Sequence, residues 1–362
     1  MVYPETFTAF RSPSRENWRD FQKQEFKPKT LEDNDVDIKI ECCGICASDV
    51  HKINGDWNSP DSIYPLAVGH EIVGKVVAVG PKVTSVKVGQ RVGMGAQCKS
   101  CGTCDRCTSD NETYCKKQVE TYSALHSDGT ISQGGYSSHV RVNDFWVFPI
   151  PDALASTEVA PMLCAGITVF SPLVRNGAGP GKKVGIVGIG GLGHFGLMFS
   201  KALGAETWAI SRTTAKKEDA VKLGADGFIA TENENWNEEH DGTFDVIVCT
   251  ANGTQGFDLS KYLSVLKVHG KFVFVGLAPG DGQKVSAFDL LGNGCFIGAS
   301  HLGSRKEMLQ MLDLAAEKGV KCWSELIPIS VEGVKQGHAR LFDKNGVRYR
   351  FVLTDYDKEF GQ

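Results

Sequence analysis

No stretch of this chain reaches the roughly 18 uninterrupted apolar residues that a membrane span needs. Its first residues hold no cationic segment running into an apolar one, so no secretory leader is expected. Charge of one sign is lacking as well: 39 Lys and Arg against 43 Asp and Glu leave a formal −4, without the electrostatic footprint of a nucleic-acid binder. The final DYDKEFGQ contains no Ser-Lys-Leu or Lys-Asp-Glu-Leu address and no prenylation box. The expectation is a cytoplasmic protein with neither nucleic acid nor membrane among its partners. Internal repeats, low-complexity tracts and long charge runs are missing too, and no segment is set aside as a disordered tail.

Glycine and cysteine are plentiful, at 41 and 12 of 362 residues. That length suits about two domains with sizeable cores and excludes a mini-protein held by staples. In a reducing compartment clustered thiols read first as metal ligands or catalytic groups rather than as a disulfide framework.

The chain changes style along its length. From Val36, Val-Asp-Ile-Lys-Ile-Glu alternates apolar and polar residues, and short strands are expected again at Ile72 to Val79, Gln90 to Met94 and Tyr136 to Val142. After Pro151, Ser156 or Thr157 is placed to cap a helix. From Lys183, apolar strands alternate with helical stretches: Val184 to Ile189, Thr207 to Ile210, Gly227 to Ala230, Phe244 to Cys249, Phe272 to Gly276 and Cys295 to Ala299. Such a βαβ series implies a doubly wound parallel sheet, so the fold class is α/β with a β-rich first part. An amphipathic helix is expected after Ser304, with Met308, Leu309, Met311, Leu312 and Ala315 inward, and a closing strand at Tyr349 to Thr354. The domains drawn from this pattern are 1–158, 159–303 and a return of 304–362 to the first.

Cys101, Cys104, Cys107 and Cys115 form C-x2-C-x2-C-x7-C, a spacing that lets one loop wrap a tetrahedral ion with thiolate at every position. A structural zinc is the expectation, with an iron-sulfur cluster as the other reading. Cys98 also stands two residues ahead of Cys101 in C-x2-C spacing and is treated as a bystander. Cys46 in Gly-Ile-Cys-Ala-Ser-Asp-Val-His and His70 in Gly-His-Glu lie at strand edges; Cys164 lies in Leu-Cys-Ala-Gly-Ile-Thr, where the two styles meet. One His and two Cys around zinc leave a fourth position for water or substrate. Taken alone, Cys164 also reads as a small buried hydrophobe.

The strand from Val184 leads into Gly188-Ile189-Gly190-Gly191-Leu192-Gly193 and then a helix, the order in which a dinucleotide pyrophosphate rests on free N–H groups. An NAD site places an acidic residue about 20 positions on to hold the ribose 2′-OH. None is there; Ser211, Arg212, Thr213 and Lys216 stand instead, with donors suited to a 2′-phosphate. NADPH is therefore expected over NADH, the other reading being a solvated basic helix start.

Together these motifs, in consistent order from about Lys39 to Glu359, resemble the zinc-dependent medium-chain alcohol dehydrogenases. The nearest branch is the cinnamyl alcohol dehydrogenase type, with its fungal NADP-dependent broad-specificity members. The resemblance implies a GroES-like catalytic domain, a Rossmann cofactor domain, NADP(H) and two Zn2+ per chain, and reversible reduction of aromatic or medium-chain aldehydes to primary alcohols. It implies a catalytic zinc on Cys46, His70 and Cys164, with Glu71 able to enter the metal shell and Asp49 orienting a ligand. Ser48 would bond the reacting oxygen, and His51 would relay its proton. Thr168, Thr250, Gly276, Ser300, His301, Leu302 and Arg348 would contact the cofactor, and Trp57 would stack on an aromatic substrate. His51, Asp49 and Trp57 also admit plain surface or turn roles. The resemblance further implies a homodimer, joined near Cys295. Cys42, Cys43, Cys249, Cys295 and Cys322 read as strand or core residues, and His126, His139, His194, His240, His269 and His338 are assigned no chemistry. A polyol or secondary-alcohol dehydrogenase of the same fold, or a catalytically silent NADPH-binding zinc protein, are the competing readings.

Overall fold

The computed structural model describes residues 5–57, 60, 63–251, 257–277, 284–343 and 347–361. They form two compact units, Met1–Cys164 with Ser304–Gln362, and Ala165–Gly303.

The first unit is built on the strand Asp35–Ile45, whose Val36, Ile38 and Ile40 point into the core. It pairs antiparallel with Ile72–Val79, with His139–Asn143 and, through the returning chain, with Arg350–Thr354. Arg91–Met94 and Phe148–Pro149 extend the sheet on one side, and Ser324–Pro328 lies parallel to Arg350–Thr354 on the other. Simple alternation would leave the polar side of the first strand in water. Asp35 and Asp37 are instead buried, Asp35 with Lys29 and Asp37 with the Arg141 fork at 2.7 and 2.8 Å. Buried carboxylates persist only when paired in this way. Ser156 is another departure: it is the first residue of the helix Ser156–Val159, not its cap, and the capping position falls to Ala155.

In the second unit six parallel strands lie in the order Gly227–Ala230, Glu206–Ser211, Lys183–Val187, Phe244–Cys249, Leu266–Phe274 and Phe296–Ala299. Numbered along the chain this is 3-2-1-4-5-6, the doubly wound order whose ligand crevice opens beyond the first and fourth strands, where the winding reverses. The fifth strand starts at Leu266, earlier than Phe272, because a register shift lets Phe244 pair with Leu266 before Val246 pairs with Lys271. Ile210, Phe244, Ile247, Leu263 and Phe272 close the core on one face. Among the described residues no single helix is long and apolar enough to cross a membrane.

Candidate active site

Gly-Ile-Cys-Ala-Ser-Asp-Val-His becomes a strand end followed by the helix Ala47–Ile53, with Cys46 at the N-cap. Asp49, three positions on, turns back so that Oδ2 accepts the Cys46 N–H at 2.8 Å. Its other oxygen accepts from the Gly69 N–H at 3.1 Å and from His70 Nδ1 at 2.9 Å. Asp49 therefore holds the His70 ring with Nδ1–H toward the carboxylate and Nε2 presented to the opposite side. Gly69 has to be glycine: its φ is +100°, and a Cβ there would lie 2.6 Å from the Tyr136 ring.

On that opposite side Cys46, His70, Glu71 and Cys164 bring one ligand atom each within 4.8 Å of one another, all four residues buried. Cys164 follows the turn Ala160–Leu163, and its Sγ is 3.1 Å from His70 Nε2. Its thiol hydrogen-bonds to Cys46 and holds that residue well below the ordinary thiol range, while the same contact and burial push Cys164 up. Glu71 is pushed up to about 8 by burial, against the pull of the Arg350 guanidinium paired with Oε1. Its Oε2 is buried without a hydrogen-bond partner among the described residues. Two sulfurs, an imidazole nitrogen oriented by a carboxylate, and an orphaned carboxylate oxygen form a donor set that fits Zn2+ with an exchangeable position.

Ser48 Oγ stands 3.6 Å from Cys46 Sγ, and His51, three residues along the same helix face, is partly exposed. His51 Nδ1 meets Asp56 Oδ2 at 2.7 Å, and its ring stacks on Trp57 at 5.3 Å between centroids. Ser48 is half-buried beside Cys46, His51 is partly exposed, and Trp57, stacked on it, is exposed.

The four-cysteine motif also closes up. Cys101, Cys104, Cys107 and Cys115 have sulfur separations of 3.5 to 3.9 Å along four edges. A tetrahedron with Zn–S bonds of about 2.3 Å has edges of about 3.8 Å, whereas disulfide sulfurs lie about 2 Å apart. Thiolates on separate irons of a cluster would stand farther from one another. Cys98 takes no part: its thiol donates to the Glu120 carbonyl at 3.3 Å.

In the second unit Gly188–Gly193 joins the strand Lys183–Val187 to the helix Gly193–Ala202. Gly188 has φ +87°, and a Cβ on Gly193 would fall 1.8 Å from the Gly188 carbonyl oxygen, so both ends of the turn require glycine. Thr250 clamps the turn through hydrogen bonds from its Oγ1 to the carbonyls of Val187 and Gly188 at 2.8 and 3.1 Å. Ser211 ends the neighbouring strand, Arg212 and Thr213 follow it exposed, and Lys216 Nζ donates to the Ile189 carbonyl at 2.6 Å. Lys216 thus closes on the glycine turn, and Ser211 follows Ile210, whose carbonyl accepts the Gly188 N–H at 2.8 Å. Gly276 lies against the backbone of Ala251, and Ser300 is held by its N–H to the Phe274 carbonyl. Thr168 is partly buried on the helix Ala165–Arg175, and His301 and Leu302 follow the last strand. Arg348 belongs to the first unit and is exposed.

Sequence reasoning missed Arg350, Tyr136 and His338. Arg350 left one signal, a cation inside the apolar strand Tyr349 to Leu353; His338 and Tyr136 left none.

A family model for the alcohol dehydrogenase GroES-like domain matches residues 32–152, and one for zinc-binding dehydrogenases matches 191–317. The sequence is 49% identical over 362 residues to the NADP-dependent alcohol dehydrogenase 6 of Saccharomyces cerevisiae, covering 99% of each chain. Among solved structures, a cinnamyl alcohol dehydrogenase of Sorghum bicolor matches with a TM-score of 0.89 at 34% identity, over 96% of this chain and 97% of that one. The CAD protein of Helicobacter pylori, solved with NADP(H), matches with a TM-score of 0.86 at 31% identity, over 96% and 98%.

Proposed function

The chain belongs to the zinc-binding alcohol dehydrogenases, in their cinnamyl alcohol dehydrogenase-like branch, and from that membership we propose that it reduces aldehydes to primary alcohols with NADPH, reversibly. The observation that carries the reading is the convergence of Cys46, His70, Glu71 and Cys164 on one buried point, with Asp49 behind the histidine. Cys46, His70 and Cys164 would hold zinc, with Glu71 as a further oxygen donor beside them, and Cys101, Cys104, Cys107 and Cys115 would hold a second, structural zinc. The bound groups supply Lewis acidity at the substrate oxygen and a hydride donor.

The chain's own residues do the rest. In reduction His51, steadied by Asp56, supplies one proton for each aldehyde through Ser48 to the reacting oxygen, and on oxidation the proton leaves by the same route. Gly188 to Gly193 and the following helix cradle the pyrophosphate. Ser211, Arg212, Thr213 and Lys216 hold the 2′-phosphate, which selects NADP(H). Thr168, Thr250, Gly276, Ser300, His301, Leu302 and Arg348 complete the cofactor's contacts, and Trp57 presents its ring to an aromatic substrate. Cys164 and Arg212 favour this reading over a polyol dehydrogenase that uses NAD.

Aromatic aldehydes such as cinnamaldehyde, and medium-chain aliphatic ones, form the substrate class. A reducing cytoplasm agrees with 12 free cysteines. Homodimerisation is supported by the edge strand Phe296–Ala299, flanked by Phe288 and Leu291, which are 84% and 73% exposed; a monomer in sedimentation would remove that part of the reading. The test of the whole is Cys46→Ser: turnover of cinnamaldehyde with NADPH should fall by at least about a thousandfold, some 4 kcal/mol of transition-state stabilisation, with NADPH binding retained. Turnover at the parent rate would overturn the assignment.

A further inference from the structure

We propose that Tyr136 and His338 are positioning residues of His70, acting through Asp49 as a hydrogen-bonded chain that reaches from the helix Val331–Phe342 to the Cys46, His70 and Cys164 centre. The inference rests on the reading of that centre as a metal site. Neither residue would touch substrate; their part is to fix the carboxylate that fixes the imidazole.

The direction of every link follows from donor and acceptor chemistry. Tyr136 Oη lies 3.3 Å from Asp49 Oδ2 and 3.0 Å from His338 Nε2. A carboxylate oxygen only accepts, so the single phenolic proton points to Asp49, and His338 must donate from Nε2. His338 is thereby the Nε2–H tautomer, and its Nδ1 carries a lone pair. That Nδ1 is buried with no hydrogen-bond partner among the described residues, so the chain ends there. Asp49 in turn receives the Tyr136 hydroxyl and the Cys46 N–H on Oδ2 and the Gly69 N–H and His70 Nδ1–H on Oδ1, with the buried Tyr122 hydroxyl also hydrogen-bonded to this carboxylate.

The surroundings keep each link in one state. His338 is fully buried, with the rings of Trp18, Phe21 and Tyr136 at centroid distances of 6.5, 5.2 and 5.6 Å. Burial holds its imidazole down to about 4, so it is neutral at working pH, and burial also pushes the Tyr136 phenol well above its ordinary range. The Tyr136 ring occupies the space that a side chain at position 69 would need, so the residue that orients His70 also shapes the turn that carries it. Remove the Tyr136 hydroxyl, and Asp49 Oδ2 keeps the Cys46 N–H but loses the donor that ties it to the helix Val331–Phe342. The carboxylate is then held less firmly, and the His70 ring it orients with it.

Full-length protein, loaded with zinc, is challenged with a chelator, and zinc loss from each site is followed together with kcat. The four-cysteine zinc and the melting temperature report whether each variant is folded. Tyr136→Phe should release the Cys46, His70 and Cys164 metal about tenfold faster, at the lower end of what loss of an outer-shell partner costs, with kcat falling and NADPH affinity unchanged. His338→Leu should do the same, and His338→Gln, whose amide N–H stands where Nε2–H stands, should restore release to within about twofold of the parent. Equal release from all four proteins would overturn the chain, as would Leu and Gln variants that behave alike. If Tyr136→Phe does not fold, the His338 pair decides. A parent protein that holds zinc only in the four-cysteine lobe would overturn the metal reading itself, and this inference with it.

Discussion

Arg350 is buried and paired with Glu71; burial pulls its guanidinium down, but the charges of Glu71, Cys46 and Cys164 hold it well above its ordinary range. Removing one partner of a buried ion pair strands the other, at a typical cost of about 3–5 kcal/mol. Arg350→Leu should therefore lower unfolding stability by that amount in urea titration, and Glu71→Gln added to it should recover most of the loss. A change below about 1 kcal/mol would show that Glu71 does not depend on this cation. Cys46, Ser48, Asp49 and His51 were legible because one turn of helix places them, so their spacing is their geometry. Arg350 and Glu71 stand 279 positions apart, and Tyr136 and His338 stand 202 apart. Only the sheet that pairs Arg350–Thr354 with Asp35–Ile45, and the packing of the returning chain, bring such partners together. No local pattern encodes them.

Turns and strands show the same division between local and distant causes. The Gly188–Gly193 turn could be read directly, because glycine is demanded by backbone clearance inside the motif. Gly193→Ala places a methyl group 1.8 Å from the Gly188 oxygen, so the turn must open. NADPH binding should weaken by at least about tenfold, roughly 1.4 kcal/mol, with both zinc ions retained; an unchanged Kd in fluorescence titration would contradict the close packing described. The burial of Asp35 and Asp37 on the polar side of Asp35–Ile45 has a distant cause instead. Alternation shows which residues are apolar, and it cannot show that Lys29 and Arg141 arrive to cover the acidic ones. Likewise Ser156 was a credible cap by type, but its hydroxyl lies near Arg91 and Glu41 rather than on the helix amides.

For the whole molecule, acid should be the weak direction. His126, His139 and His338 are each held down to about 4, chiefly by burial, whereas their ordinary value is 6.5. Between those values the unfolded chain binds more protons than the folded one, so stability rises with pH there and is lost on acidification. Each histidine's contribution is complete above about 6.5 and gone below about 4, and amounts to at most about 3 kcal/mol. Tm should fall steadily across that window, and His139→Gln should flatten the fall; a Tm independent of pH from 6.5 to 4 would contradict neutral burial. The two-part architecture was legible as a change from alternating strands to βαβ units, and the 3-2-1-4-5-6 order then sets the glycine turn at the winding reversal. The proposed selection of NADP(H) through Ser211, Arg212 and Lys216 is put to the test by kcat/KM for cinnamaldehyde with NADPH and with NADH on one zinc-replete preparation. A ratio above about ten, more than about 1.4 kcal/mol of transition-state discrimination, that collapses in Arg212→Ala is the predicted result. Equal values with the two cofactors would contradict it.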